Sequence, residues 1–286
     1  MALDSYAGFD ISNATLTVGA AAIPALGFGT YGMSGAKLQT ILVEAIGQGF
    51  RHIDTAQIYQ NEADVGVAIR AAGIARPRIF ITTKVWVGNY PRSRFIPSVD
   101  QSLASLQTDY IDLLLVHWPR GGAALDEQIE GLNRAVETGR VRHIGVSNYN
   151  SDMFGTAAAL STYPLVTNQV EYHPFLDQSA VLEQVTAEQS SLMAYCGMAV
   201  GRVFKSDLIA TIAARHQRSI AQIVLRWLVQ QQRVLALSRT QTIERIRPNS
   251  QIFDFSLADE EMAAISSLRT PGSRIVNPSH LAPDWD

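Results

Sequence analysis

Short apolar segments alternate along the chain with longer segments in which apolar residues recur at helical spacing. Residues 113–116 are apolar at every position, which is typical of a strand that is covered on both faces. The predicted strands begin near residues 25, 52, 79, 111, 141, 166, 191 and 233. A predicted helix follows each of them. Eight strand–helix units in one chain of this size predict an α/β fold, a (β/α)8 TIM barrel.

The helical segments carry apolar residues three and four positions apart. Leu38 and Ile41 share one helical face, for example, and Gly47 follows the last turn. We place helices at residues 38–46, 62–72, 97–106, 125–138, 152–160, 180–187, 208–214, 220–229, 243–246 and 259–268. In this assignment Pro97 lies in a first helical turn, where proline is tolerated, and Ser256 caps the last helix.

The N-terminal part of the chain precedes the repeating units. Residues 1–14 are expected to form a loose leader, and the apolar segments 15–18 and 21–23 flank Gly19 in the manner of a short β-hairpin. No linker, charge block or low-complexity tract divides the remainder. We therefore expect a single barrel domain over residues 1–286.

Composition and charge narrow the functional classes. Of the 286 residues, 47% are hydrophobic and 17% are charged, and the net charge of −3 favours no nucleic-acid partner. Cys196 is the one cysteine, so neither a disulfide framework nor a thiolate metal site is expected. The first residues do not resemble a signal peptide, and no apolar run reaches the roughly 20 residues of a membrane helix. We expect a cytoplasmic, monomeric protein without a metal.

One motif near the start supports a different fold. Gly27, Gly29 and Gly32 match the G-x-G-x-x-G fingerprint, and Asp54 follows at a distance that suits a Rossmann dinucleotide-binding domain. The strand before this motif would be short and interrupted by Pro24, however. A Rossmann domain also leaves eight evenly spaced units unexplained, so we prefer the barrel.

Three of the predicted strands end in residues that can perform chemistry. The second strand ends at Asp54, the third at Lys84 and the fourth at His117, and Tyr59 follows Asp54 in a loop. In a (β/α)8 barrel the carboxyl ends of the strands share one face, where catalytic residues lie. Each residue alone has a structural explanation, such as packing or a surface ion pair. Their joint position at neighbouring strand ends favours one active site.

The chemistry of this site would be acid catalysis. A tyrosine with its usual pKa near 10 is a weak acid at neutral pH. We expect the ammonium group of Lys84 to lower the pKa of Tyr59 and Asp54 to keep Lys84 protonated. His117 would donate a hydrogen bond to a carbonyl oxygen of the substrate. Tyr59 is therefore predicted to donate a proton.

The surroundings of these residues resemble the aldo-keto reductases over nearly the whole chain after residue 15. The similar segments are FRHIDTAQIYQNE (50–62), ITTKVW (81–86), DYIDLLLVHWP (109–119), IGVSN (144–148) and NQVE (168–171). The C-terminal segment RIVNPSHLAPDW (274–285) is similar to the bacterial 2,5-diketo-D-gluconate reductases, in particular the B type. The resemblance implies NADPH-dependent reduction of aldehydes or ketones to alcohols in a (β/α)8 barrel.

The resemblance also implies cofactor contacts. Ser147, Asn148 and Gln169 would bind the nicotinamide carboxamide, and the ring of Tyr195 would stack on the nicotinamide. Gly29 and Thr30 would lie along the middle of the cofactor, and further residues would bind its adenosine end. The residues in this last group are Ser238, Arg239, Thr240, Arg245 and Asn249.

The sequence departs from the family at Arg239, where a lysine is common. Arginine keeps the charge and adds a planar fork suited to a 2′-phosphate, so NADPH is favoured over NADH. Tyr31, Trp86 and Trp118 follow strand ends and are predicted to line a substrate pocket for small, polar carbonyl compounds such as keto-sugar acids or methylglyoxal-like aldehydes. The alternative is a barrel that binds a nicotinamide cofactor as a sensor, without significant turnover.

Overall fold

The structure, a computed structural model, describes residues 11–286 of the chain. Its strands are β1 (Thr15–Val18), β2 (Ala21–Pro24), β3 (Leu26–Gly29), β4 (His52–Asp54), β5 (Phe80–Val85), β6 (Ile111–Val116), β7 (Val141–Ser147), β8 (Leu165–Glu171), β9 (Leu192–Tyr195) and β10 (Val234–Ser238). Its helices are α1 (Gly35–Gly47), α2 (Glu62–Ala71), α3 (Arg92–Leu106), α4 (Leu125–Glu137), α5 (Ser151–Leu160), α6 (Ser179–Ala187), α7 (Asp207–His216), α8 (Ile220–Gln230), α9 (Ile246–Ser250) and α10 (Asp259–Ser266).

Strands β3 to β10 form a closed parallel barrel, and β1 and β2 form a separate antiparallel hairpin. The barrel closes where β10 pairs with β3, with Ala236 opposite Leu26. Every barrel strand begins within one residue of its predicted start. The predicted fold is therefore confirmed, and the Rossmann alternative is wrong, because β3 to β10 close into a barrel.

The burial of the strands explains their apolar sequences. Every residue of β5, β6 and β8 is buried, because helices cover the outside of the barrel and side chains fill its inside.

Helix α8 shows how local sequence sets an element: the Ser219 hydroxyl accepts from the backbone N–H of Gln222, whose side chain accepts from the backbone N–H of Ser219. This capping box starts the helix at Ile220.

Two helix starts differ from the prediction. Helix α3 begins at Arg92, so Pro97 lies inside the helix rather than in its first turn. A proline inside a helix removes one backbone hydrogen bond, and the remaining turns and the packing of α3 on α2 and α4 outweigh that loss. Helix α10 follows Ala258 rather than Ser256, and the Glu261 carboxylate accepts the Ala258 N–H.

The predicted leader is only partly described. Residues 1–10 lie outside the described part of the chain. Residues Ile11–Asn13 form a turn of 3-10 helix, and Ile11 and Ala14 are buried, so these residues do not form a loose leader. Among residues 11–286, no helix is long and apolar enough to span a bilayer, and no cluster of side chains is suited to hold a metal ion.

Candidate active site

Three neighbouring strands deliver polar residues to one rim of the barrel. Asp54 is the last residue of β4, Lys84 is the second to last of β5, and His117 directly follows β6. Tyr59 ends the 3-10 turn that follows β4. The Lys84 Nζ atom lies 5.2 Å from the centre of the Tyr59 ring, and the Tyr59 and His117 rings are 5.7 Å apart. The structure thus brings the four predicted residues together.

Asp54 and Lys84 form a buried ion pair. The Lys84 Nζ atom donates to Asp54 Oδ1 at 2.7 Å and to the Thr55 carbonyl oxygen at 2.9 Å. The side chains are 0% and 4% exposed for Lys84 and Asp54, respectively. Burial lowers the pKa of Lys84, and the charge of Asp54 opposes this shift. Asp54 therefore balances the charge of the buried Lys84 ammonium group.

The pKa of Tyr59 differs from our prediction. Burial raises this pKa well above its usual value, and the negative charge of Asp54 raises it further. The predicted lowering by Lys84 is wrong in this arrangement, because the ammonium group is hydrogen-bonded to Asp54 and its charge is balanced by that carboxylate. The phenol therefore keeps its proton at neutral pH, as a proton donor must.

His117 is buried beside the phenol as a neutral imidazole. Burial lowers the pKa of His117 well below its usual value, and the nearby Lys84 cation adds to the shift. The imidazole ring packs edge-on against Tyr59 and against Trp86, whose ring centre is 5.5 Å away. Its Nδ1 atom is buried and has no hydrogen-bond partner among residues 11–286. A neutral imidazole carries one N–H that can orient a ligand oxygen.

Asn148 connects this group to two of the predicted nicotinamide contacts. Its Nδ2 atom donates to the His117 carbonyl oxygen at 2.9 Å and to Ser147 Oγ at 3.1 Å. Its Oδ1 atom accepts from the Tyr195 hydroxyl at 2.7 Å. The backbone of Asn148 has a φ of 64°, a left-handed conformation that asparagine tolerates better than most residues. The three side chains are therefore held in one network.

Gln169, in β8, reaches across the barrel to the ion pair. Its Nε2 atom donates to Asp54 Oδ2 at 2.8 Å, and the Met193 sulfur lies 3.0 Å from the same nitrogen. Its backbone carbonyl accepts from the Ser147 hydroxyl at 2.8 Å. A predicted cofactor residue is thus bonded directly to a predicted catalytic carboxylate, which the sequence did not indicate.

The end of β3 lies beside the first residues after β10. Thr30 donates its hydroxyl to the Asp54 carbonyl oxygen at 3.0 Å. The Arg239 Nε atom donates to the Tyr31 carbonyl oxygen at 2.5 Å, and a Cβ atom added to Gly29 would lie 3.9 Å from the Cβ atom of Arg239. An added Cβ atom at Gly29 would therefore make only an ordinary van der Waals contact with Arg239.

The predicted adenosine-binding residues differ in exposure. Ser238 and Thr240 are buried, and the Asn249 side chain donates to Ser238 Oγ at 3.2 Å. Arg239 and Arg245 are both exposed. Exposed guanidinium groups in this segment suit a phosphate group.

The three residues predicted to bind the substrate differ in exposure around Tyr59 and His117. Tyr31 is 64% exposed and packs edge-on against Tyr59, with 5.1 Å between the ring centres. Trp86 is half-buried against His117, whereas Trp118 is buried. These rings form an aromatic wall beside the phenol.

The C-terminal segment completes this wall, and our sequence analysis assigned it no role. Trp118 packs against Leu281 and Ala282, and Val276 and Trp285 pack against the same cluster. The apolar residues of this segment lack helical or strand periodicity, which is why the pattern gave no signal. The resemblance at residues 274–285 was the available clue.

Glu171, the last residue of β8, anchors the C-terminal segment. Its buried carboxylate accepts the backbone N–H groups of Ile275 at 2.8 Å and Val276 at 2.7 Å, and pairs with His173 Nε2 at 3.0 Å. Burial disfavours the carboxylate, but these hydrogen bonds outweigh burial and hold the pKa of Glu171 below its usual value. The segment is therefore tied to the rim by a charged group.

Two further polar residues support the site and were missed as well, the half-buried Gln57 and the buried Glu62. Gln57 accepts the backbone N–H of Trp86 at 2.9 Å, and Glu62 accepts the hydroxyl of Thr83, beside Lys84, at 2.6 Å. Both lie in the segment 50–62 that carries the family resemblance, and a polar residue that faces inward from a turn or helix needs a partner. They fix the strand end that delivers Lys84.

Comparison with known proteins agrees with this geometry. A sequence model of the Aldo/keto reductase family matches residues 25–270. The methylglyoxal reductase DkgB of Escherichia coli O157:H7 is 36% identical over 268 residues, covering 93% of this chain and 100% of the relative. The glyoxal reductase of Bacillus subtilis strain 168 is 34% identical over 260 residues, covering 91% of this chain and 94% of the relative.

Solved structures extend the likeness. A crystal structure described as that of a candidate 2,5-diketo-D-gluconic acid reductase B is 52% identical, with a TM-score of 0.94, covering 95% of this chain and 97% of the other. The aldo-keto reductase of Bombyx mori in complex with NADP is 30% identical, with a TM-score of 0.82, covering 87% and 90%. The matches extend over the whole barrel, and the chain belongs to the aldo-keto reductase family.

Proposed function

We propose that this protein reduces small, polar aldehydes and ketones to alcohols with NADPH, and that Tyr59 is the proton donor. The observation that carries this proposal is a neutral phenol in contact with a buried Asp54–Lys84 pair and a neutral His117. A sensor barrel without turnover would have no need for this arrangement, because a buried ion pair is costly to maintain.

The rim has groups that fit the cofactor. The half-buried Tyr195 offers an aromatic face for a nicotinamide ring, and the Gln169 side chain keeps an oxygen that can accept from a carboxamide. Arg239 and Arg245 are exposed cations for the 2′-phosphate, which favours NADPH over NADH. NADPH, when bound, supplies the hydride.

The residues of the chain would handle the carbonyl oxygen. His117 orients this oxygen through its N–H, and Tyr59 transfers a proton to it as negative charge develops. The ammonium group of Lys84, 5.2 Å from the ring centre, then stabilises the phenolate that is left. Asp54 holds Lys84 in place for this step.

The relatives suggest the substrates. Methylglyoxal, glyoxal and diketogluconate are named in proteins that this chain resembles, and an aromatic wall around His117 suits such compact molecules. We further propose that the protein is a single-domain monomer in the cytoplasm.

Replacing Tyr59 with phenylalanine tests the proposal. We expect Tyr59→Phe to lower kcat for methylglyoxal by about 10²–10⁴-fold, because a positioned acid contributes that much. The unfolding temperature and the Kd for NADPH should stay close to those of the unmodified protein. Tyr163→Phe removes a hydroxyl just before β8, at the opposite end of the barrel, and serves as the matched control, with activity retained.

Two results would count against the proposal. A fully active Tyr59→Phe protein would remove the phenol from the reaction. An unmodified protein that binds NADPH but oxidises it with no compound in a panel of small aldehydes, diketones and keto-acids would instead support a sensor.

A further inference from the structure

Strand β5 is tied to polar side chains on both sides of Lys84. On one side, Thr83 donates its hydroxyl to Glu62 Oε1 at 2.6 Å. On the other side, the backbone N–H of Trp86 donates to Gln57 Oε1 at 2.9 Å. Successive residues of a strand point to opposite faces, so Thr83 points away from the face that carries the Lys84 side chain. Glu62 therefore reaches β5 from the other face.

Ser102, in α3, joins these two contacts. Its hydroxyl donates to Glu62 Oε2 at 3.2 Å and accepts from Gln57 Nε2 at 3.2 Å. Gln57 belongs to the same 3-10 turn as Tyr59. The network therefore connects the turn that carries Tyr59 with the strand end that carries Lys84.

Glu62 adds a charge to this network. Its side chain is buried in the first turn of α2, where the helix dipole favours a negative group. One carboxylate oxygen accepts from Thr83 and the other from Ser102. A group that accepts at both oxygens matches the ionised form, because a protonated carboxyl group must donate its own hydrogen. The contacts are therefore those of a buried carboxylate.

Lys84 is close enough to this carboxylate for the two charges to influence each other. Burial raises the pKa of Glu62, and the two hydroxyl donors and the charge of Lys84 oppose this shift. Burial lowers the pKa of Lys84, and Asp54 and, more weakly, Glu62 oppose that shift. Two carboxylates therefore act on one ammonium group, Asp54 by direct contact and Glu62 at longer range.

The other titratable groups that face Lys84 are uncharged near neutral pH. Burial lowers the pKa of His117 well below its usual value and that of His52 to about 4. Burial raises the pKa of Tyr59 well above its usual value. Because the pKa of Lys84 is lowered whereas that of Tyr59 is raised, Lys84 loses its proton before Tyr59 does as the pH rises.

We propose that Glu62 is a positioning residue for the proton transfer, and that its carboxylate keeps Lys84 cationic at alkaline pH as a second counter-charge. This inference rests on the proposed function, because the charge of Lys84 matters to turnover only if Tyr59 gives up its proton beside it. Asp54 holds the ammonium group in place by contact. Glu62 acts from the other face of β5, through its charge and through Thr83.

The variant Glu62→Gln removes the charge and keeps the shape of the side chain. The new amide oxygen can accept from Thr83, and the amide nitrogen can donate to Ser102 Oγ, so both hydrogen bonds have a replacement. The variant therefore separates the charge of Glu62 from its contacts.

Carbon-13 NMR of protein labelled at the lysine Cε atoms measures the charge of Lys84 without turnover. The chain contains three lysines, and Lys37 and Lys205 are exposed internal standards. In Glu62→Gln we expect the titration midpoint of Lys84 to fall by roughly 0.5–1 pH unit, because a nearby opposite charge is lost. The midpoints of the two exposed lysines should not move.

The pH dependence of turnover tests the consequence for the reaction. We expect kcat for methylglyoxal in Glu62→Gln to stay within about 3-fold of the unmodified protein at neutral pH. On the alkaline side, kcat should fall at a pH that is lower by the same shift as the Lys84 midpoint, because kcat reports ionisations of the enzyme–substrate complex. Loss of a merely structural contact would lower kcat at every pH alike.

Two variants are matched controls. Ser102→Ala cuts the network between Glu62 and Gln57 but keeps the charge. Asp64→Asn removes an equal charge from the same helix, at a position that faces α1, where Asp64 accepts the Gly35 N–H at 2.7 Å. We expect both variants to leave the Lys84 midpoint within about 0.2 pH unit of that of the unmodified protein.

The outcomes separate the alternatives. An unchanged Lys84 titration in Glu62→Gln, including a lysine that stays protonated throughout in both proteins, would overturn the inference and leave the proposed function intact. The same alkaline shift in Ser102→Ala would assign the effect to the hydrogen bonds and overturn the inference too. A lowered Lys84 midpoint in a protein that reduces no carbonyl compound would support the second counter-charge and reject the proposed function.

Discussion

The strongest stability prediction concerns the Asp54–Lys84 pair. In Asp54→Asn one acceptor oxygen becomes an NH₂ group, which must face either Lys84 Nζ, now at 2.7 Å, or Gln169 Nε2, now at 2.8 Å. The amide can serve only one of these two donors, and the Lys84 ammonium group loses its counter-charge while it is 0% exposed. Breaking a buried ion pair in this way costs about 3–5 kcal/mol of unfolding free energy.

The loss should depend on pH. Burial lowers the pKa of Lys84 in the folded protein, and Asp54 opposes that shift, so its removal lowers the folded-state pKa further. The unfolded chain, with a lysine pKa of about 10.4, then binds the extra proton over a wider pH range. Stability rises with pH wherever the unfolded state binds more protons. The deficit of Asp54→Asn should therefore shrink as pH rises from neutral towards 10.

Urea unfolding at pH 6.5 and at pH 9.5 measures both effects. Asp254→Asn is the matched control, because Asp254 pairs with Arg218 at 2.7 Å but is 51% exposed. We expect this surface change to cost less than about 1 kcal/mol at either pH. A deficit for Asp54→Asn that is as small as that of the control, or that is the same at both pH values, would refute the reasoning.

Two further predictions concern stability away from the reacting atoms. Glu171→Gln should cost about 1.5–3 kcal/mol at pH 7 and speed proteolysis of the C-terminal segment, because Glu171 accepts charged hydrogen bonds there. Hydrogen bonds hold the pKa of Glu171 below its usual value despite burial. The stability that Glu171 contributes is therefore present above about pH 4.3 and is lost as pH falls through its folded-state pKa. A stability loss in Glu171→Gln that does not shrink in acid would contradict this. Gly122→Ala should cost more unfolding free energy than Gly139→Ala, although both glycines have a positive φ. The new Cβ atom at Gly122 would lie 1.9 Å from the Val87 carbonyl oxygen, whereas that at Gly139 meets open space. Gly139→Ala should cost about 1–2 kcal/mol from the backbone alone, and equal losses in thermal unfolding would contradict the clash.

The sequence by itself determined the barrel and the position of its reactive end. Strands that are covered on both faces must be apolar throughout, so segments such as residues 113–116 stand out without any structure. Parallel strands of one barrel end on one face, so the residues at their carboxyl ends, including Lys84 and His117, are neighbours by topology alone. Short-range signals sufficed for this part, because each one lies within a single strand–helix unit.

Sequence patterns located the helices but not all of their boundaries. Helix α3 starts at Arg92 and passes through Pro97, because the packing of a long helix on its neighbours outweighs the preference of proline for a first turn. The G-x-G-x-x-G motif by itself indicated a Rossmann domain, and the eight repeating units outweighed it. Gly27 lies inside β3 opposite Leu237, where an added Cβ atom would meet the His52 and Leu237 side chains at 2.7 Å, so this glycine serves strand packing.

Only the tertiary structure decided the protonation of the site and the position of the C-terminal segment. The pKa of Tyr59 depends on how deeply several elements bury the ring and on whether Asp54 has already neutralised Lys84, and no local pattern contains that balance. Gln169 meets Asp54 across 115 residues of sequence, and the C-terminal segment reaches the rim because Glu171 holds its backbone. Such contacts join distant parts of the chain through desolvated charges, so they exist only once the barrel has closed.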